Sequence, residues 1–278
     1  MAFFISRSFL PPSMEIFDNH VHLKPETIDF FVSRFRAKGG TSLNLVNLTE
    51  ECTNIDEFAD KYRETISISQ NLRERGLKVV TTIGPYPVNY ISLRERMGKE
   101  SAASLYTKAV DLAVEMILEG RANAIGEVGR PHFETSKDIV NESNEIIRYI
   151  FHATADNDIP VILHTESLDS AGMCELVQMA RDAGKEKGVV KHFSQPIFSD
   201  NCGIVPSVPA SRKNARMAPW GEKGFFLETD FAGDQGNPNF VLPPDSVPAR
   251  VAMLLQEGVD PQKIWESMSF FESFYHLL

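Results

Sequence analysis

Residues 14–22 read Met-Glu-Ile-Phe-Asp-Asn-His-Val-His, an apolar start that runs directly into two histidines one residue apart. A short apolar run of this kind suits a buried strand. In an extended chain, residues two apart point the same way, so His20 and His22 can face one metal ion. Taken alone the pair says little, because His-x-His arises by chance and either imidazole could be a hydrogen-bonded core residue.

Outward from this stretch the same arrangement recurs. Short apolar runs occupy residues 42–47, 77–83, 122–127, 159–164, 188–192, 203–208 and 224–229. Helical patterns lie between them at 27–38, 55–75, 101–119, 136–155 and 170–183, and later at 247–257 and 261–276. Several stop at a glycine, the residue best suited to end a helix. Within 101–119, Leu105, Ala109, Leu112, Ala113 and Met116 fall at helical spacing. Strand alternating with helix is the signature of parallel βα units, and eight strands close a barrel. The expectation is an α/β chain folded as a (β/α)8 TIM barrel over residues 14–278. Crossover helices should be shortened or missing after strands 6 and 7, since 195–201 is too short for one and 210–223 reads as a loop. Residues 1–13 are expected to be an N-terminal extension or an upstream start, because Met14 directly precedes the first strand. A long polar loop such as 194–223 in an economical barrel is a place to look for function.

Composition narrows the function classes. At 278 residues, 42% hydrophobic and 24% charged, the chain has ample material for a core. Its net charge of −10 argues against broad electrostatic adhesion to nucleic acid or anionic lipid. A phosphate substrate stays open, because bound cations can reverse the local field. No apolar run approaches the roughly 18 residues of a membrane span, and the apolar start before Arg7 is too short for a signal peptide. Cys52, Cys174 and Cys202 have no metal-type spacing and read as reduced, buried thiols. The chain is therefore expected to be cytoplasmic, with no membrane association and no evident obligate protein partner.

The remaining ionisable residues strengthen the first histidine pair. Glu127, His164, His192 and Asp230 each stand at the carboxyl end of a different apolar run. That is the face on which barrel active sites form. Independent core histidines would scatter between strand middles and helices. Four histidines and two carboxylates at one mouth suffice for two metal ions with open positions for water and substrate.

The segments HVH, GEVG, LHT, HFS and ETD, in this order and spacing, resemble the TatD family of metal-dependent hydrolases over nearly the whole chain. The resemblance implies two divalent ions (Zn, Mg or Mn), one held by His20, His22 and Asp230 and the other by His164 and His192, with Glu127 bridging both. It also implies a phosphoester substrate, including single-stranded DNA ends. Asp230 and Glu127 are the expected catalytic groups, Asp230 taking the proton of the attacking water. A bridging Glu127, with no lysine beside it, sets the chain apart from lactonase and phosphotriesterase-like relatives that use a carboxylated lysine. A small-molecule amidohydrolase or lactonase on the same metals is the alternative, and a metal-stabilised scaffold is a third. The chain departs from the family pattern where GEVGRPHFE replaces GEIGLD, where FSQP replaces CFSG, and where FAGDQGNP follows ETD. These changes spare the metal ligands and bear on the substrate. Arg130, His132, Arg212, Lys213 and Arg216 are the candidate phosphate contacts, and Glu166 and Glu228 the candidate carboxylates orienting a ligand histidine.

Overall fold

The computed structural model describes residues 14–49, 52–233 and 242–277. The proposed extension at 1–13, and most of the FAGDQGNP segment, lie outside the described residues. Eight parallel strands follow one another round the sheet in sequence order: β1 Phe17–Val21, β2 Ser42–Val46, β3 Lys78–Ile83, β4 Ala124–Gly129, β5 Val161–His164, β6 Val189–Lys191, β7 Val205–Pro209 and β8 Phe226–Glu228. The ring closes just beyond β8. His22 N donates to Phe231 O at 2.7 Å and Asp230 N to His20 O at 3.0 Å, so the ends of the first and last strands are tied together. All eight expected strands are present, and the fold is the (β/α)8 barrel.

The helices begin where short polar side chains can cap them. Asn54 accepts from Glu57 N at the start of α2 Ile55–Glu74, and Ser136 from Ile139 N at the start of α5 Lys137–Ala155. Asp169 accepts from Gly172 N before α6 Ser170–Asp182. Each cap satisfies one backbone N–H that the first turn leaves without a partner. The first helix, α1, is Ile28–Ala37.

Three departures from the expected helices have local causes. Pro87–Met97 is a helix, α3, that the sequence pattern did not mark. It ends at Gly98, whose positive φ of 83° separates it from α4 Lys99–Leu118. Residues 210–223, expected as loop, contain the short α7 Arg212–Met217, capped by Ser211 and too brief for a helical period to register. The 261–276 pattern divides at Ser269 into α9 Pro261–Met268 and α10 Phe270–Phe274, after α8 Ser246–Gln256. Among the described residues no helix lies between β6 and β7, as expected.

The cysteine expectation is corrected. Cys174 on α6 and Cys202 in the β6–β7 connection form a disulfide, with Cα atoms 5.2 Å apart, and Cys202 is exposed. Their 28-residue separation hid a pairing that only tertiary proximity creates. Cys52 is buried, as expected.

The floor of the barrel is aromatic. Phe17, Phe226, Phe271 and Tyr275 pack there with Val80, Ala124, Ile162 and Val190. The Phe17 and Phe271 rings stack at 4.1 Å, so the last helix plugs the lower end. Above this plug Tyr275 OH donates to Asn19 Oδ1 at 2.7 Å, and Asn19 Nδ2 donates to Ser207 Oγ at 2.9 Å. No described helix is long and apolar enough to cross a membrane.

Candidate metal centre at the barrel mouth

The six residues expected at one end of the barrel are brought together. Nε2 of His20 and Nε2 of His22 lie 3.1 Å apart, and 2.7 and 3.0 Å from Glu127 Oε1. The other oxygen of Glu127, Oε2, lies 2.5 Å from Nδ1 of His164. Asp230 Oδ1 is 3.6 Å from His22 Nε2, so both carboxylates approach the same imidazole. The His192 ring stacks on His20 with centroids 3.7 Å apart.

Backbone geometry aims these side chains. Gly129 ends β4 against the carbonyl of His164, where a side chain would collide, and the next amide, Arg130 N, donates to that carbonyl at 2.8 Å. This close approach sets Gly129 level with His164 on the adjacent strand, and Glu127, two residues earlier on β4, reaches His164 with its side chain. Nδ1 of His22 is 2.9 Å from Val46 O, which leaves Nε2 for the mouth. Glu228 Oε1 lies 3.0 Å from His192 Nδ1 and accepts from Phe193 N at 2.8 Å, while Glu228 Oε2 accepts from Ser207 Oγ at 2.5 Å. Glu228 therefore stands beside His192, one of the candidate ligands, as the sequence suggested. Glu166 does not, and pairs with Arg130 instead.

The electrostatics are those of a crowded, dehydrated cluster. Burial would raise the Glu127 carboxyl, but the imidazoles of His192, His164 and His20 outweigh it and hold the group well below the usual carboxylate range. Burial would lower His22, yet Asp230 and Glu127 raise it to about 10. Burial and the neighbouring His20 push His192 well below its ordinary value. Burial lifts Glu228 to about 7, against the pull of His20, Ser207, Phe193 and Lys191. Lys191, at the end of β6, is brought down to about 8 by burial.

A cavity of about 400 Å³ opens over this cluster, lined by Asp230, His192, His164, His132, Tyr86, Lys191 and Phe193, with Thr165, Ser167 and Gln195. Of the candidate phosphate contacts, only His132 lines it, with Nδ1 2.9 Å from His164 Nε2. Arg130 is buried and spends its guanidinium within the chain, donating to Asn144, Glu166 and Glu175 at 2.6, 2.9 and 3.0 Å. Arg216 pairs with Glu257 at 2.6 Å, and neither it, Arg212 nor Lys213 lines the cavity. Tyr86 and Lys191 escaped the sequence reading, while Phe193 and Gln195 stand in the FSQP segment that it marked as bearing on the substrate. Phe193, directly after the candidate ligand His192, carried the usable signal, whereas Tyr86 lies in a connection with no strand-end pattern.

The residues fit divalent metal. Ligand atoms of His20, His22 and Asp230 lie within 4.8 Å of one another, and so do those of His20, Glu127 and His192. The Nδ1 atom of His20 is buried without a hydrogen bond. Buried nitrogens left in this state are costly unless something else accepts their lone pairs. Imidazole and carboxylate together suit Zn, Mn or Mg rather than a soft ion.

Comparison with known proteins agrees with this geometry. The family model described as TatD related DNase matches residues 17–274. An uncharacterised protein of Methanocaldococcus jannaschii, MJ1127, is 27% identical over 254 residues, covering 89% of this chain and 90% of that protein. Among solved structures, the TatD homologue YjjV of Escherichia coli K12 superposes with a TM-score of 0.63 at 16% identity, over 94% of this chain and 98% of YjjV. The phosphotriesterase homology protein of Escherichia coli, solved with phosphate in its active site, gives a TM-score of 0.51 at 13% identity, over 93% and 97% of the two chains. At these identities the two structures speak for the fold, and the family match, spanning almost all of the sequence, speaks for descent. The chain belongs to the TatD related DNase family of metal-dependent hydrolases.

Proposed function

We propose that the chain is a two-metal phosphodiesterase acting on nucleic-acid ends or small phosphodiesters. The observation that carries this reading is the division of labour at Glu127. One carboxylate oxygen faces His20 and His22, and the other faces His164. A single carboxylate set between two imidazole groups is the arrangement that bridges a pair of ions. In this reading His20, His22 and Asp230 hold one ion, His164 and His192 the other, and Glu127 both. Divalent ions bound there would supply Lewis acidity to the phosphoryl group and make water more acidic.

The protein's own groups do the rest. Asp230 is the one member of the cluster with appreciable exposure, its side chain 23% accessible, and it lines the cavity. It is placed to take a proton from the attacking water and return one to the leaving oxygen. Val46 O and Glu228 keep His22 and His192 turned toward the cluster, so little reorganisation is needed when charge develops. The cavity is recessed and the chain is acidic, at −10, so long duplex gains little from the outer surface. Frayed or single-stranded ends reach such a site more easily than a rigid duplex.

The test is hydrolysis by metal-reconstituted protein of an end-labelled single strand, a closed circular duplex and a lactone panel, each repeated after chelation. Chelator-sensitive release from the single strand, with little nicking of the circle, is expected. Efficient nicking would remove the end preference. Lactone hydrolysis without phosphodiester cleavage would replace the reading with a small-molecule amidohydrolase.

A further inference from the structure

Phe193 is an unusual residue in an unusual place. It follows His192 directly, lines the mouth cavity, and leaves 45% of its surface in water. Its φ is +48°, a left-handed conformation rare for a bulky side chain. Backbone in such a region persists only where the surroundings impose it. Here the restraint is visible, because the Phe193 amide donates to Glu228 Oε1, the same oxygen that stands beside His192 Nδ1. One carboxylate thus sets both the ligand histidine and the phenyl ring beside it. The ring packs at a steep angle against His192, with centroids 5.8 Å apart, and lines the cavity.

The cavity's other walls are rings as well. Tyr86 and His132 line it, both close to His164, and Phe133, 45% exposed, packs edge-on against His132. Ser167, Gln195 and Thr165 add polar groups to the lining. Asp230 and His192 line the same space, so one small molecule can meet the histidine–carboxylate cluster and the aromatic walls together. Of the described cationic side chains, Lys191 alone lines the cavity, its ammonium bonded to the Thr165 and His192 carbonyls, while Arg130 and Arg216 are engaged by glutamates of the chain. Exposed phenyl rings flanking a polar cavity are the kind of apolar surface that marks a ligand site. Ring walls with polar groups among them match a planar heteroaromatic group, apolar on its faces and hydrogen-bonding at its rim.

We infer that Phe193, in the cavity it shares with Tyr86 and His132, forms a stacking site for the base of a nucleotide whose phosphate lies at the metal cluster, an assignment of ligand class that rests on the phosphodiesterase reading. Affinity in this site comes from the ring, and the sequence of bases is read weakly, because every base has a face to stack.

The experiment compares binding of thymidine 5′-monophosphate and 2-deoxyribose 5-phosphate to metal-loaded protein by calorimetry, in the wild type and in Phe193→Ala, Phe193→Leu and Phe193→Trp. Wild type should favour the nucleotide by about 10-fold, the scale of one base stacked on one aromatic ring. The ratio should fall toward one in the Ala and Leu variants and persist in the Trp variant. Leu keeps the apolar bulk, so its behaviour separates stacking from loss of packing. Equal affinity of the two ligands for wild type, or a ratio that survives in both Ala and Leu, would overturn the stacking site. Cleavage of a dinucleotide is scored separately. Cleavage with a ratio near one removes the stacking site alone, and a full ratio without cleavage removes the phosphodiesterase reading while leaving the base-binding site.

Discussion

The two ends of the barrel solve opposite problems with the same strands. At the floor, Phe17, Phe226, Phe271 and Tyr275 fill the interior, and Tyr275, Asn19 and Ser207 satisfy one another through hydrogen bonds. At the mouth, His20, His22, Glu127, His164 and His192 crowd into a buried space in which Nδ1 of His20 is left without a hydrogen bond. The floor gains from folding alone, whereas the mouth is arranged for something the chain does not itself supply. The two are joined, because Ser207 also donates to Glu228, which stands beside His192. Stability and function are thus separable along the barrel axis, with one hydrogen-bond chain running between them.

The largest expected effect is at the floor. Phe271→Ala removes a fully buried ring stacked on Phe17 and should lower unfolding stability by about 3–5 kcal/mol. Denaturant titration checks this. A loss under about 1 kcal/mol would mean the plug contributes little. At the mouth, Asp230→Asn retains an oxygen for metal but no base, so kcat should drop by roughly 100-fold or more with metal content only partly reduced. Near-normal turnover in fully metallated variant would place the base elsewhere.

Two buried lysines sharpen the same contrast. Lys191 stands at the mouth and Lys185 lies toward the floor, where it donates to Ile159 O just ahead of β5, and burial holds each near 8. For Lys185 the folded value lies below its ordinary 10.5. Between about 8 and 10.5 the unfolded chain therefore binds the extra proton, and stability contributed by this site rises with pH across that window. Below it, the folded state carries the full cost of a buried ammonium. Thermal midpoints of wild type and Lys185→Met, followed over that window, should converge or cross as the wild-type penalty disappears. Parallel curves would refute the assignment.

The smallest effect probes the link between the ends. Tyr275→Phe removes the donor to Asn19 while preserving the ring, and should cost about 1 kcal/mol. If the chain from floor to mouth matters, the affinity for metal should also fall measurably, which competition with a chelator would detect. A stability change with unaltered metal affinity would leave the two ends independent.

Much of this could be read without coordinates. Eight strands, the barrel and the convergence of His20, His22, Glu127, His164, His192 and Asp230 follow from apolar runs that end in ionisable residues. Strand period and strand-end position are local properties of a chain. Local pattern also misled where an element was short or broken, as with α7 and the division between α9 and α10. What only the tertiary structure decided is which groups spend their charge on one another. Arg130 looked like a phosphate contact from its place after Glu127, yet Asn144, Glu166 and Glu175 surround its guanidinium. Cys174 and Cys202 looked like separate thiols and are bonded. Phe193 and Tyr86 reach the same cavity from connections far apart in sequence, after β6 and β3. Periodicity is written into neighbouring residues, so sequence alone determines the barrel and the ring of histidines and carboxylates at its mouth. Pairing between distant side chains depends on where folding leaves them, and the lining of the cavity was decided there.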